Sequence, residues 1–458
     1  MILDTGFLDS LYLPIMIKQT IFLVFLFPLI AISQHTIKGK LSPAEDYKWA
    51  VLYKVSPTDL FYKTDTKIDD QGNFTLELDA TITKGMYRLV YAVPQDIFNF
   101  DIIYNGEEDI ILNFNRDKGV EFLVSKENLL LASYEKEMRT VQNQIVKQYR
   151  DGYEFVSSLF ETLKKLQKDF EKEAKGTIAL EFIKANKPYI PESSQDIATY
   201  IKNNKKNYFK NIDVNNPTLQ ESSFMSDYAY NYIVGFSSDK QGARLAIEDN
   251  IDAFQAQIKY SEPVFQKFQW IKLRQKFVNE NRAHTANYIS ENYLIPLAKS
   301  SNDQALIEEL TLYKNMTLGN KAVNFSWEEV TDNKTILKNL HEIDVAQNYI
   351  IVFWSSGCSH CLKEVPKLHS KISSMEKGAY KVIAVGLEDD PYSWRNKIRD
   401  FPEFINVLGL GKWQNEIGKN YGVKSTPTYI ILDKEKNIIS IPEQLDDVLQ
   451  LLSKEPTN

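Results

Sequence analysis

The 458-residue chain contains two cysteines, Cys358 and Cys361, and both lie in the stretch WSSGCSHCLKEVP from Trp354 to Pro366. Before it comes the apolar run Asn348-Tyr349-Ile350-Ile351-Val352-Phe353, which reads as a buried strand. After it comes a helical pattern with Leu362, Val365, Leu368 and Ile372 on one face. Cys358 is therefore expected at the first turn of a helix, where unpaired N–H groups and the positive end of the helix dipole favour a thiolate. Cysteines with this spacing can close a small disulfide across the turn, Cys358 attacking and Cys361 waiting one turn inside. Half of a zinc site is a competing reading, but zinc needs further ligands, and only His360 and His369 are close in sequence. Inert packing is the third. A redox dithiol fits best, with no metal and no cofactor beyond the cysteine pair.

From about Leu318 to the C-terminus the chain resembles the TlpA and ResA-like branch of the thioredoxin superfamily, which are exported thiol-disulfide oxidoreductases. The residues that carry the resemblance are Trp354 before the motif, Glu364 and Pro366 after it, the strand Lys381-Val382-Ile383-Ala384-Val385-Gly386, and the segment Tyr421-Gly422-Val423-Lys424-Ser425-Thr426-Pro427-Thr428-Tyr429. The resemblance implies that Thr426-Pro427 is cis and faces the disulfide, leaving the Thr426 backbone open to an extended substrate segment. An ordinary trans turn is the alternative. On this reading Trp354, Thr426 and Pro427 bind substrate, while Cys358, Cys361, Glu364 and His360 are catalytic.

Two of these residues pull the chemistry in opposite directions. His360 precedes the second cysteine, as in the strongly oxidising DsbA motif, and a protonated imidazole there would stabilise a thiolate and push towards an oxidant. Glu364 would raise thiol pKa values while offering a proton shuttle. The chain also departs from thioredoxin, whose buried aspartate six residues before the first active-site cysteine is replaced here by Val352. Glu364 is the candidate to take over its task.

At the other end, Met1 to Ile15 carries Asp4 and Asp9 and no basic residue, so the signal-like sequence begins at Met16-Ile17-Lys18. An apolar run from Ile21 to Ile32 and the small-residue site Ala31-Ile32-Ser33 complete a signal peptide, cleaved near Ser33. An uncleaved anchor is the alternative, although the run is short for a membrane span. No cysteine follows it to carry a lipid. The expected product is periplasmic, with no integral span after cleavage. Its lack of structural disulfides in an oxidising compartment fits a redox enzyme.

The sequence then divides into three parts. Residues 34–125 read as a small antiparallel β-sandwich, with strands near Trp49–Tyr53, Phe74–Leu78, Tyr87–Tyr91 and Ile110–Phe114 and turns at Asp70-Gln71-Gly72-Asn73 and Asn105-Gly106. Its aromatic residues Trp49, Tyr53, Phe98 and Phe100 read as core rather than as a ligand surface. Residues 126–316 read as an α-helical domain: Tyr134, Met138, Val141 and Ile145 share one face, as do Leu159, Leu163, Leu166 and Phe170. The runs Lys164–Lys175 and Lys202–Lys210 read as solvated faces, with a docking or dimerising surface as the alternative. Residues 317–458 read as a thioredoxin-like α/β domain, its extra strands beginning at Ala322-Val323-Asn324-Phe325, so the fold class is multidomain α+β.

The expected function is exchange of disulfides with protein substrates, as a reductant re-reduced by a membrane electron donor of the DsbD type. The alternatives are a disulfide-introducing oxidase and a redox-sensing envelope binding protein. A thiol peroxidase is disfavoured because no P-x-x-x-T-x-x-C pattern precedes Cys358. A net charge of −7 argues against a nucleic-acid partner.

Overall fold

A computed structural model describes residues 35–152, 156–193, 195–237, 243–331 and 334–453. The leader expected over residues 1–33, with its start at Met16, lies outside the described residues. The first part holds eight strands: β1 (His35–Ser42), β2 (Trp49–Val55), β3 (Leu60–Lys67), β4 (Asn73–Leu78), β5 (Gly85–Val90), β6 (Asn99–Tyr104), β7 (Ile110–Asn115) and β8 (Gly119–Val124). They form two sheets, ordered β4-β1-β7-β8 and β3-β2-β5-β6. Strand β4 shows the period-two logic, with Phe74, Leu76 and Leu78 buried and their neighbours exposed. These side chains meet Leu52, Leu89 and Ile102 of the other sheet in a shared core. Phe98 and Phe100 pack against that core, and Phe100 stacks on Phe114. One ladder, β1 with β7, is parallel, although an antiparallel sandwich was expected. The two strands are far apart in sequence, so no hairpin dictates their direction.

The second sheet is covered on both sides. Met86 and Ile103 point away from the sandwich and join the core of the helical part, and Arg88 is buried among them. Arg88 sits opposite Asp101 in the β5–β6 register and grips it with two bonds, at 2.7 and 3.1 Å. The Ser223 N–H from the helical part adds a third bond to the same carboxylate, at 2.6 Å. Burial alone would raise the Asp101 carboxyl, but Arg88 and Ser223 outweigh it and hold it below its ordinary value.

The helical part comprises α1 (Lys126–Arg150), α2 (Ser157–Glu173), α3 (Ala179–Ala185), α4 (Ile197–Asn207), α5 (Pro217–Gln220), α6 (Phe224–Gly235), α7 (Ala243–Ile258), α8 (Pro263–Asn279), α9 (Ala283–Ile289), α10 (Ile295–Ser300) and α11 (Gln304–Asn315). Tyr134, Met138, Val141 and Ile145 are the buried stripe of α1, as their spacing predicts. In α2 the buried stripe is Phe160, Leu163, Gln167 and Phe170, with Leu159 and Leu166 on its flanks. Gln167 is tolerated there because it accepts from the Tyr134 hydroxyl at 2.8 Å and donates to the Ile183 carbonyl at 3.0 Å. Sequence periodicity missed α4, α5 and the stretch from α9 to α10. In the last of these, Pro296 suggests a break, yet a π turn over Ser290–Leu294 carries the helix through.

The last part opens with a two-stranded hairpin, β9 (Ser326–Thr331) and β10 (Lys334–Asn339). The extra strands therefore begin at Ser326 rather than Ala322, because Ala322 is held instead by the Lys436 carbonyl at 2.9 Å. There follow β11 (Asn348–Trp354), α12 (Cys361–Ser373), β12 (Tyr380–Glu388), α13 (Tyr392–Lys397), β13 (Ile405–Leu410), α14 (Glu416–Asn420), β14 (Thr428–Leu432), β15 (Ile438–Ser440) and α15 (Leu445–Ser453). The sheet order is β13-β12-β11-β14-β15, with β11, β12 and β13 parallel and β14 and β15 antiparallel to their neighbours. Strand β11 lies at the centre and is buried on both faces. Tyr349, Ile351 and Phe353 enter one core, while Ile350, Val352 and Trp354 enter the other beneath α12 and α15. Helix α11 docks this part closely: a Cβ at Gly422 would lie 2.9 Å from Leu312 Cδ1, and the Gly422 φ of +63° also favours glycine.

Asp101→Ala should lower the unfolding free energy by about 3–5 kcal/mol in urea titrations, because it leaves the Arg88 guanidinium buried and unpaired. Since the folded carboxyl is depressed, this contribution is fully present above the unfolded value of about 3.9 and is lost as pH falls through the lower folded value. The gap between wild type and variant should therefore narrow in acid.

Candidate active site

Strand β11 ends at Trp354, α12 starts at Cys361, and the turn between them presents Cys358. Cys358 stands just before the helix rather than within its first turn. Its carbonyl accepts the Leu362 N–H at 3.0 Å, and its Sγ receives the Cys361 N–H at 3.1 Å. This is the geometry of a capping side chain, with sulfur in place of the usual oxygen. The two cysteines are joined as a disulfide, their Cα atoms 5.2 Å apart. Cys361 is 0% exposed, whereas Cys358 is half-buried, so only one sulfur faces outward. Cys361, with Val365 and Leu368, occupies the buried stripe of α12. Leu362, expected on that stripe, is turned to solvent.

Opposite the disulfide, the Thr426 carbonyl oxygen lies 3.3 Å from Cys358 Sγ, and the Thr426-Pro427 bond is cis. Strand β14 begins only at Thr428, whose partner is Phe353, so Thr426 lies beyond the end of the β11–β14 ladder. Trp354, expected on the substrate face, is 0% exposed and packs edge-on against Phe401. The pleat sends it beneath α12, where it supports the turn and has no surface for a substrate. His360 is exposed.

Glu364 lies one turn beyond Cys361 on α12, and its Oε2 accepts the Tyr429 hydroxyl at 2.9 Å. Tyr429 is fully buried and pairs across the sheet with Val352, the position where thioredoxin carries its aspartate. Burial pushes the Tyr429 phenol far above its ordinary value, and the carboxylate beside it adds to the push.

Sequence reasoning missed Glu388, at the end of β12. This carboxylate is 7% exposed and takes the Ser356 N–H at 2.5 Å, the Ser356 hydroxyl at 3.1 Å and the Ser355 hydroxyl at 3.2 Å. It clamps the turn that delivers Cys358. The available signal was an acid at the end of the buried run 382–387, together with the Ser355-Ser356 dipeptide of the turn. His369, the distant member of the zinc reading, bonds Glu403 at 2.5 Å and rests its ring against Phe401 and Phe404. Among the described residues, no group of three or more His, Cys, Asp or Glu side chains comes together to hold a metal.

The family model described as Thioredoxin-like matches residues 347–438, from the start of β11 to β15. Curated relatives include the thiol-disulfide oxidoreductase ResA of Bacillus thuringiensis subsp. konkukian (strain 97-27), 26% identical over 150 residues, which are 31% of this chain and 83% of that protein. ResA of Bacillus anthracis is 28% identical over 145 residues, covering 30% of this chain and 77% of its own. The C-terminal domain is thioredoxin-like and is similar to the TlpA/ResA-like thiol-disulfide oxidoreductases. Among solved structures, this thioredoxin-like domain is similar to a domain of a possible thiol-disulfide isomerase from Cytophaga hutchinsonii ATCC 33406, with 27% identity, TM-score 0.25, and coverage of 30% of this chain and 90% of that one. A thioredoxin-like protein from Bacteroides caccae ATCC 43185 covers 58% of this chain and 96% of its own, at 18% identity and TM-score 0.29.

Two outcomes follow for the thioredoxin-like domain. After reduction, Cys358 should alkylate at least about tenfold faster than Cys361, as quantified by peptide mass spectrometry, because only Cys358 combines exposure with a capping N–H. Glu388→Ala should cost about 1–3 kcal/mol in thermal or denaturant unfolding, since it strands the Ser356 N–H inside the fold.

Proposed function

We propose that this protein is a periplasmic reductant of protein disulfides, working through Cys358 and Cys361 as its only redox group. The oxidoreductase class itself follows from the thioredoxin-like domain and its ResA relatives. The observation that carries the finer reading is the asymmetry of the pair: one sulfur outward at a helix start, 3.3 Å from the Thr426 carbonyl, and the other sealed beneath it.

In the reduced protein, the Cys358 thiolate attacks one sulfur of a substrate disulfide. A Cys358–substrate bond forms, the substrate S–S bond breaks, and the departing sulfur takes up a proton. Cys361 then gives its proton to Glu364 and attacks Cys358 Sγ. The intramolecular disulfide forms, and the second substrate sulfur leaves with its electron pair and is protonated. Two electrons pass to the substrate, and a membrane dithiol donor of the DsbD type restores the starting state. Substrate backbone pairs with Thr426 by strand addition beside Pro427. The helix start and the Cys361 N–H favour the Cys358 thiolate, His360 sits at the exposed rim to tune it, and the carboxylate at Glu364 favours the reductive direction. Among the described residues no helix is long and apolar enough to cross a membrane.

Equilibration with glutathione should place the Cys358–Cys361 potential near the thioredoxin value of about −270 mV, whereas a value near the DsbA figure of about −120 mV would make the protein an oxidase. A Cys361→Ser variant should capture envelope proteins as mixed disulfides through Cys358. Failure to capture any, alongside a reproducible non-covalent partner of the intact chain, would favour a redox-sensing binding protein.

A further inference from the structure

We propose that Tyr429 is a positioning residue for the second step, holding the Glu364 carboxylate beside Cys361 so that it can take the Cys361 proton. This rests on the dithiol reading above and deepens it.

Three observations converge. The Tyr429 hydroxyl donates to Glu364 Oε2 at 2.9 Å, and Tyr429 has no exposed surface, so the packing of its ring fixes the donor in place. Cys361 and Glu364 are three residues apart on α12, the spacing that places side chains next to each other on a helix. Tyr429, Val352 and Cys361 belong to one apolar core, and Tyr429 and Val352 are directly paired across β14 and β11. Val352 supplies no acid or base from β11. The polar path to the buried sulfur therefore runs from β14, through a phenol, to a carboxylate on α12.

A carboxylate on a flexible two-carbon arm at a helix surface adopts several rotamers in water. The phenol selects one of them, and the geometry of a proton acceptor is worth more than its presence. The phenol itself gains and loses no proton. The step stays balanced: the Cys361 S–H proton moves to Glu364, the Cys361–Cys358 bond forms, and the Cys358–substrate bond breaks with its electron pair leaving on the substrate sulfur.

Reduced full-length protein mixed with dithiobis(nitrobenzoate) gives two separable releases of the coloured thiolate, one from Cys358 attack and one from Cys361 resolution. Tyr429→Phe, which keeps the ring, should leave the concentration-dependent first phase within about twofold and slow the concentration-independent second phase roughly tenfold, a fraction of what a positioned base contributes. Glu364→Gln should slow the second phase at least as much, and the double variant should be no slower than Glu364→Gln alone. Glu364→Asp, which withdraws the carboxylate from the phenol without touching the core, should slow the same phase. An unchanged second phase in Tyr429→Phe or Glu364→Asp overturns the proposal, and so do effects of Tyr429→Phe and Glu364→Gln that multiply. Absence of any second release from the wild-type protein would instead sink the dithiol reading itself.

Discussion

Strand β11 is covered on both faces, and that burial fixes where Cys358 points. Alternate residues enter two separate cores, and each fully buried aliphatic or aromatic side chain contributes about 1.5–3 kcal/mol relative to exposure. A slip of one residue would send every side chain to the opposite core, so the end of the strand cannot drift. The turn from Ser355 to His360 thus begins at an immobile point. Glu388 takes hold of the turn from the neighbouring strand, and α12 receives it with Cys361 already in the core.

Three carboxylates of the thioredoxin-like domain meet different surroundings. Glu388 is inside the protein and satisfied by hydroxyls and a backbone N–H, which makes it a structural acceptor. Glu403 is at the surface, where the His369 bond draws its carboxyl below the ordinary value. Glu364 lies between these extremes, half-buried and bonded to a phenol inside the core. That position, at the boundary of solvent and core, is the one on which the proposed role of Glu364 rests.

The N-terminal and middle parts form a continuous stack. The β5–β6 face that the sandwich does not use becomes the floor of the helical core, and Asp101 links both sheet and helices through Arg88 and Ser223. Helix α11 then meets the last part at Gly422, four residues before Thr426, where a Cβ would crowd the Leu312 methyl groups and φ of +63° favours glycine.

Much of this was legible in the chain. Sequence patterns located β2, β4, β5 and β7 but not β1, β3, β6 or β8, and the buried stripe of α1, while the two cysteines and the Thr426-Pro427 segment marked the turn that carries the disulfide. Where periodicity failed, a tertiary contact had displaced a local rule: Gln167 replaces an apolar residue because Tyr134 reaches it, and the helix through Pro296 survives by a π turn. Trp354, placed on the substrate face by the resemblance, is instead turned by the β11 pleat into the core beneath α12.

Amino-acid order by itself determined which residues could react and where a strand must become a helix, since those depend on side-chain chemistry and on repeats a few positions long. Which carboxylate clamps the turn and which meets Tyr429 were decided only by the folded sheet. Glu388 is 33 positions from Ser355 and Tyr429 is 65 from Glu364. Partners that distant are chosen by strand order and register, which no local pattern encodes.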